Sequence, residues 1–321
     1  MRLTEYLRAI HALATAEALY SPVFGSFDCD ESISSIPCDY GDFHQRVAVA
    51  RSPAGPIGIL RQSTLLLWAL ESEVGSDRRI GDLCDSNAIK SSLPLEATYS
   101  QILETAEGNQ SDLLVVRNGC EIAGSICVED MLKPPGLVYL LCLSLELEAA
   151  AGELCTLFPQ AFDNLSPKRR DAAKEAYKAT KQDRLEAITS NLAAWGVRAH
   201  KDVGRREVIQ TTMLCDKRVM LTESDLGLRV PKKQIESVFR FCERIRNFAV
   251  HPSAAFTRDY AVADSLADAN HELVNDDELS TSLLSRPISK ELRVANLIAL
   301  ARGVRETRDL IADIDRALAT R

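Results

Sequence analysis

Apolar and polar positions are patterned differently in two parts of the chain. Over the first 135 residues, short runs at strand spacing alternate with amphipathic stretches. Arg46-Val-Ala-Val-Ala50 predicts a strand, Ser52-Pro-Ala-Gly-Pro56 a turn, Ile57-Gly-Ile-Leu60 a second strand, and Leu65 to Val74 an apolar helix. Asp112-Leu-Leu-Val-Val-Arg117 and Glu121-Ile-Ala-Gly-Ser-Ile126 repeat that arrangement around Asn118-Gly119, two residues that accept the positive φ of a tight hairpin. A short helix over Val128 to Lys133 follows, stopped by Pro134-Pro135. Leu3, Tyr6, Leu7 and Ile10 predict an N-terminal helix. Leu95 to Glu107 predicts another, with Tyr99, Ile102, Leu103 and Ala106 turned inward. Ser26 to Asp42 reads as loop and Gly75 to Lys90 as a connector. Strand, turn, strand and short helix therefore occur twice, some 65 residues apart, the mark of a duplicated supersecondary unit.

From Gly136 onward the strand signals vanish and helical spacing takes over. Leu137 to Leu157 is apolar nearly all round, as in a bundle core or a subunit interface. Ser166 caps and Pro167 opens a charged helix running to Trp195. Gly196 and Gly204 bracket a connection, helix resumes over Arg205 to Leu221, and Thr222 to Val230 is a polar link. Ile235, Val238, Phe239, Cys242, Ile245 and Ala249 form the stripe of a helix that Pro231 opens and Pro252 ends at His251. Ala261 to Pro287 is acidic and turn-rich. Ser289 to Ala319 closes the chain as a helix with Leu292, Ala295, Ile298, Ala299, Arg302, Arg305 and Leu310 on one stripe. The expected fold is an α+β N-terminal domain of tandem β-α repeats over residues 1–135, followed by an all-α helical bundle over residues 136–321.

Composition narrows the function classes. The 321 residues suffice for two cored domains, and the balance is that of a globular protein. Nine cysteines, with no C-x-x-C and no metal-like pairing with the five histidines, fit buried thiols in a reducing cytoplasm, with no metal site. The longest apolar run, Leu137 to Leu145, is far short of a membrane span, and Arg8, His11 and Glu17 interrupt the pattern a secretory leader would need. Charge is uneven: residues 1–135 hold 10 Lys and Arg against 19 Asp and Glu, and the remainder 28 against 27. The acidic half is a poor partner for nucleic acid. The second half carries the clusters Lys168-Arg169-Arg170, Arg205-Arg206 and Lys232-Lys233. Such clusters are ordinarily solvated helix faces; Lys232-Lys233, at the start of its helix, could also steer a phosphate backbone.

Two phrases carry a family likeness. Arg246-Asn247-x-x-x-His251, late in its helix, resembles the R-x4-6-H signature of HEPN ribonucleases, where a polar residue usually follows the Arg. The resemblance implies a homodimer in which both copies of Arg246 and His251 form a metal-independent, cofactor-free RNase site. The RNA 2′-OH would attack the adjacent phosphate, His251 would move a proton, Arg246 would hold the phosphorane, and Asn247 would orient one of them. A helix C-terminus favours the imidazolium form His251 needs as a proton donor. Some members carry a Tyr two residues after the His; here that residue is Ser253. Read without the resemblance, these are a surface Arg and a capping His on a bundle helix.

Gly124-Ser-Ile-Cys-Val-Glu-Asp130 resembles the G-h-h-[S/T]-x-x-[D/N] phrase of CBS (cystathionine β-synthase) domains, and the two repeats together resemble a CBS pair. The likeness implies a regulatory adenine nucleotide (AMP- or ATP-like), with Asp130 accepting ribose hydroxyls. Cys127 stands where the phosphate-contacting Ser or Thr is expected. In the first repeat Gly58-Ile-Leu-Arg-Gln-Ser-Thr64 puts Arg61 and Thr64 at those two places, so Arg61 would meet a phosphate and the ribose acid is absent. The combined expectation is a nucleotide-regulated endoribonuclease acting on RNA, with no DNA or membrane partner, in a stress-response or phage-defence setting. The alternative is a non-catalytic nucleotide-sensing regulator whose bundle is an RNA- or protein-binding dimerisation module.

Overall fold

The computed structural model of the chain describes residues 7, 11, 13–33, 47–61, 64, 78–127, 130–178, 201–250 and 290–320. Backbone packing divides the chain into two units: Ile10–Tyr139 with Ala254–Arg302, and Met1–Ala9 with Leu140–Ser253 and Gly303–Arg321. The first is mixed α and β. Among the described residues after 136 there are helices and no strand.

The first unit is built twice over. After a short helix α1 (Ala16–Leu19) and strand β1 (Ser21–Pro22), strand β2 (Gly25–Asp28) pairs parallel with β3 (Val47–Ser52), which pairs antiparallel with β4 (Gly55–Arg61). A one-turn helix α2 (Ile80–Leu83) leads to the second copy. There β5 (Leu93–Pro94) runs parallel to β6 (Leu113–Asn118), which pairs antiparallel with β7 (Glu121–Cys127); helix α3 (Tyr99–Asn109) lies between β5 and β6. The hairpin registers coincide. Val47 faces Arg61 and Leu113 faces Cys127, each position 66 residues further on, and both ladders slip at the same place, between Ala50 and Arg51 and between Val116 and Arg117. The second copy adds β1 at the edge, antiparallel to β7.

The run Val-Ala-Val-Ala is apolar without interruption because β3 is covered on both faces. Ala48, Ala50 and Leu60 pack with Ile33 and Ile80 on one side. Val47, Val49 and Ile59 pack with Leu113, Val115 and Ile122 on the other, so equivalent positions of the two copies share one core. Arg51 of the first copy is ion-paired to Glu121 of the second.

Several sequence expectations shift. The stretch read as loop from Ser26 begins as strand β2, held parallel to β3 although Gly, Ser and Asp are poor strand formers. Asn118 stays in its strand opposite Glu121, and the turn is Gly119-Cys120 with only Gly119 at positive φ, 61°. Helix α3 starts later than Leu95, because Thr98 and Gln101 form a capping box. Pro134-Pro135 opens the next helix rather than merely stopping the last: α4 runs Pro134–Leu157, after a 3-10 turn at Asp130–Leu132. The N-terminal helix lies almost wholly, and the helix over Leu65 to Val74 wholly, outside the described residues.

The second unit is helical. A 3-10 segment (Pro159–Asn164) leads to helix α5, described over residues 167–178, whose first turn Ser166 caps through its Oγ to the Arg169 N–H at 3.4 Å. Then come α6 (Lys201–Gln210), α7 (Leu214–Glu223), α8 (Lys232–Val250) and α9 (Lys290–Ala319). Gly204 is inside α6 rather than in a connection, and a break after Gln210 splits the stretch expected as one helix. On α8 the expected stripe is buried at Ile235, Val238, Phe239, Cys242 and Ile245, with Phe241 added. On α9 the expected stripe is buried at Ala299 and Leu310 but not at Arg302 and Arg305. Leu300, Val304, Thr307, Ile311 and Ile314 are buried, while Arg302 and Arg305 are exposed. Gly303 permits close contact, since a Cβ there would strike the Phe241 ring. No described helix is long and apolar enough to cross a membrane.

Candidate functional site

Of the residues singled out by sequence, Cys127 and Asp130 come together in the first unit, while Arg61 there and Arg246 in the helical unit engage other partners. In the first unit, Asp130 opens the 3-10 turn after β7, its carboxylate folded inward and 1% exposed. One carboxylate oxygen accepts from the Ser21 hydroxyl at 2.8 Å and is ion-paired to the Lys133 ammonium at 2.7 Å. The other accepts from the Cys127 backbone N–H at 2.8 Å and the Cys127 thiol at 3.0 Å. Cys127 thus contributes a thiol where a hydroxyl was expected, and turns it onto Asp130. Lys133 is also held by the Leu19 carbonyl at 2.9 Å and the Ser21 hydroxyl at 3.1 Å, so its cation closes the space between β1 and the 3-10 turn.

Gly124 makes this geometry possible. A Cβ there would lie inside the Ser21 carbonyl, so any larger residue would push β1, and Ser21 with it, off β7. Gly58, the same position in the first copy, is also crowded, though less so and by a side chain: its Cβ would sit 2.7 Å from the Cys84 sulfur. Cys127 and Asp130, both candidates from the sequence, touch. Ser21 and Lys133, which no motif marks, lie 109 residues before and three residues after Asp130. A Lys three residues beyond the acid was the available signal; nothing near Ser21 could have given it away.

Arg61 engages a different partner. From the last position of β4 its guanidinium donates to Asp112 at 2.6 Å, and Asp112 is 2% exposed just before β6. The second Asp112 oxygen is buried without a hydrogen-bond partner among the described residues. Thr64, the first-copy equivalent of Asp130, is half-buried.

In the helical unit Arg246 projects from α8 onto Glu148 of α4, its guanidinium donating at 2.7 Å. The other Glu148 oxygen faces the Lys217 ammonium of α7 at 3.3 Å. Lys217 is buried, and donates to the Thr212 carbonyl at 2.7 Å. Burial pushes its pKa below the usual lysine value, against the pull of Glu148. One carboxylate therefore holds two cations, one deep and one with its side chain 39% exposed. Cys155 and Cys242, buried in the same unit, have thiols pushed up to about 12 chiefly by burial, which makes them inert packing groups. Asn247 lies within α8, its side chain not among those described, and His251 is outside the described residues.

Among the described residues, Asp28, Cys29 and Asp30 are the group whose ligand atoms approach within 4.8 Å of one another. The Arg79–Asp30 ion pair at 3.0 Å and the Asp30 N–H to Asp28 bond at 2.9 Å account for this turn, and burial with its acidic neighbours raises the Cys29 pKa.

No family model matches the chain, and no curated protein matches it. Two solved structures are similar in part. One is an uncharacterized conserved protein from Pyrococcus horikoshii, 11% identical, with a TM-score of 0.30 over 38% of this chain and 92% of that one. The other is the CBS domain of a bacterial CNNM/CorC-family Mg2+ transporter in complex with an inhibitor, 10% identical, with a TM-score of 0.31 over 41% of this chain and 82% of that one.

Proposed function

We propose that residues 1–135 form a CBS-type pair that senses an adenine nucleotide and governs the helical bundle of residues 136–321, a dimeric, metal-independent endoribonuclease of HEPN type. The observation that carries the sensor reading is the 66-residue repeat of strand order, register and bulge in the two hairpins. With it come Gly58 and Gly124, which keep the same crowded place in each copy. Two copies meeting through one core create two equivalent polar ends, Arg61 with Thr64 and Cys127 with Asp130. They have diverged, and the second alone keeps a carboxylate. A ribose would take the acceptors that Ser21 and Lys133 use, and Lys133, once released, carries the charge a phosphate pairs with.

Arg246 supports the effector reading because Glu148 fixes its guanidinium at a part-exposed position, ready to present its remaining donors to a phosphorane. His251 would move the protons of 2′-OH attack, Asn247 would orient a reacting group, and the second copy of each would come from the partner across a two-fold axis. A non-catalytic regulator is the second reading. It is favoured by the same contacts, since Glu148 already neutralises Arg246 and Asp130 is already satisfied.

Incubation of the protein with structured RNA in EDTA separates the two. Cleavage by the wild type, lost in Arg246→Ala and in His251→Ala with the dimer intact, supports the ribonuclease. Cleavage that survives either substitution removes these residues from the chemistry.

A further inference from the structure

Two basic clusters lying 35 residues apart in the sequence, around Arg170 and Arg205, are folded onto one cleft. It measures about 380 Å³, and its lining carries three cations, Arg170, Lys174 and Arg205, against two carboxylates, Asp163 and Asp171, with Lys174 ion-paired to Asp171 at 3.3 Å. Pro167, Arg170 and Lys174 fall on one face of α5, while Ala173 and Tyr177 are buried on another. Asp163 is shared: Arg205 is ion-paired to it and Arg170 reaches the same oxygen at 3.5 Å. Arg205 also lies over the buried Phe162 ring, 5.9 Å from its centroid, which fixes its guanidinium at the cleft wall. One carboxylate cannot use the donors of two guanidiniums, so the fork of each keeps N–H groups for another acceptor.

Ion pairs meet part of this charge, Arg169 with the buried Asp216 at 3.0 Å besides those of Arg170, Arg205 and Lys174, but the start of the helix does not favour it. Lys168, Arg169 and Arg170 occupy the first turn of α5, where the helix dipole disfavours positive charge. Residues 163–218 hold 13 Lys and Arg against 8 Asp and Glu, a net of +5, in a chain whose total is −8. A positive field concentrated in one segment of an acidic protein is the electrostatic footprint of a polyanion. Resting on the ribonuclease reading, which supplies the class of partner, we infer that this cleft docks the backbone of single-stranded RNA. Arg170, Arg205 and Lys174 contact phosphates there, apart from the Arg246 chemistry.

The test is fluorescence anisotropy of a labelled 16-mer oligouridylate titrated with the full chain in 50 to 250 mM KCl. Arg170→Gln/Lys174→Gln should weaken binding at least tenfold at 100 mM and flatten the slope of log K against log salt by about 1.4, about 0.7 for each lost phosphate contact on a single strand. Lys90→Gln, an exposed cation of the acidic half, should leave the slope unchanged. Asp171→Lys, which replaces a cleft carboxylate by a cation and releases Lys174, should steepen it by at least about 0.7 and does not depend on the double variant folding. An unchanged slope in a folded double variant, no effect of Asp171→Lys, or no binding by the wild type at 50 mM overturns the proposal. Cleavage is scored separately. RNA that binds with these slopes yet stays intact leaves the cleft and removes the ribonuclease, whereas cleavage with unaltered slopes does the reverse.

Discussion

Glu148 shows how much one side chain can settle. Its two oxygens serve a buried ammonium and a part-exposed guanidinium, so its loss strands Lys217 in a site that burial already makes unfavourable for charge. Glu148→Gln should cost about 3 kcal/mol in urea unfolding, the penalty of breaking a buried pair from one side. Adding Lys217→Met should restore part of that loss, because the orphaned cation is then gone; a further loss in the double variant would show that the pair's geometry outweighs its charge. Arg246 was visible in the sequence from its place beside Asn247 and before His251. Glu148 was not, since it lies 98 residues earlier within an apolar helix and has no local signal. Asp130 and Cys127 were visible through the Gly124–Asp130 phrase, but their bond to each other was not.

Elements were read best where pattern and burial coincide. The stripe on α8 was legible because only one face of that helix is apolar. On α9 small and aliphatic residues occur around much of the circumference, so the buried face was set by packing, including the Phe241–Gly303 approach, and the spacing found Ala299 and Leu310 but turned Arg302 and Arg305 inward. Strand β2 was hidden because parallel pairing with β3, not propensity, makes it a strand. The link into α8 is held by Asp313 of α9, which accepts from the Arg229 and Val230 backbone N–H groups at 2.6 and 3.1 Å. Burial raises the Asp313 carboxyl pKa, but hydrogen bonds from Arg316 and these two amides outweigh it, leaving the pKa below the usual aspartate value. A lowered folded-state pKa means the stabilisation is complete above the unfolded value, near 3.9, and is lost as pH falls through the folded one. Asp313→Asn should lower stability by about 2 kcal/mol at pH 7, and the gap from wild type should close on acidification below about pH 4. A gap independent of pH would assign the effect to packing.

For the assembled protein, the sensor reading makes a calorimetric prediction. A nucleotide that binds the folded chain alone stabilises it by about 2.7 kcal/mol at 100 times its Kd. AMP or ATP should therefore raise the melting temperature of the wild type and leave Asp130→Asn unmoved. A rise that persists in Asp130→Asn would shift the ligand to the Arg61 end. The duplication was legible in the sequence to within a residue. Its exactness was not, since apolar runs mark strands but only the ladder fixes which residues face each other.

That matched ladder also limits how this chain can change. Within either hairpin, adding or deleting one residue would turn every later side chain to the opposite face, exchanging the wall shared by Val49 and Val115 for the wall that carries Ala48 and Leu114. Growth and loss should therefore be refused within Val47–Arg61 and within Leu113–Cys127, which a scan of single-residue insertions read out by soluble yield would map directly.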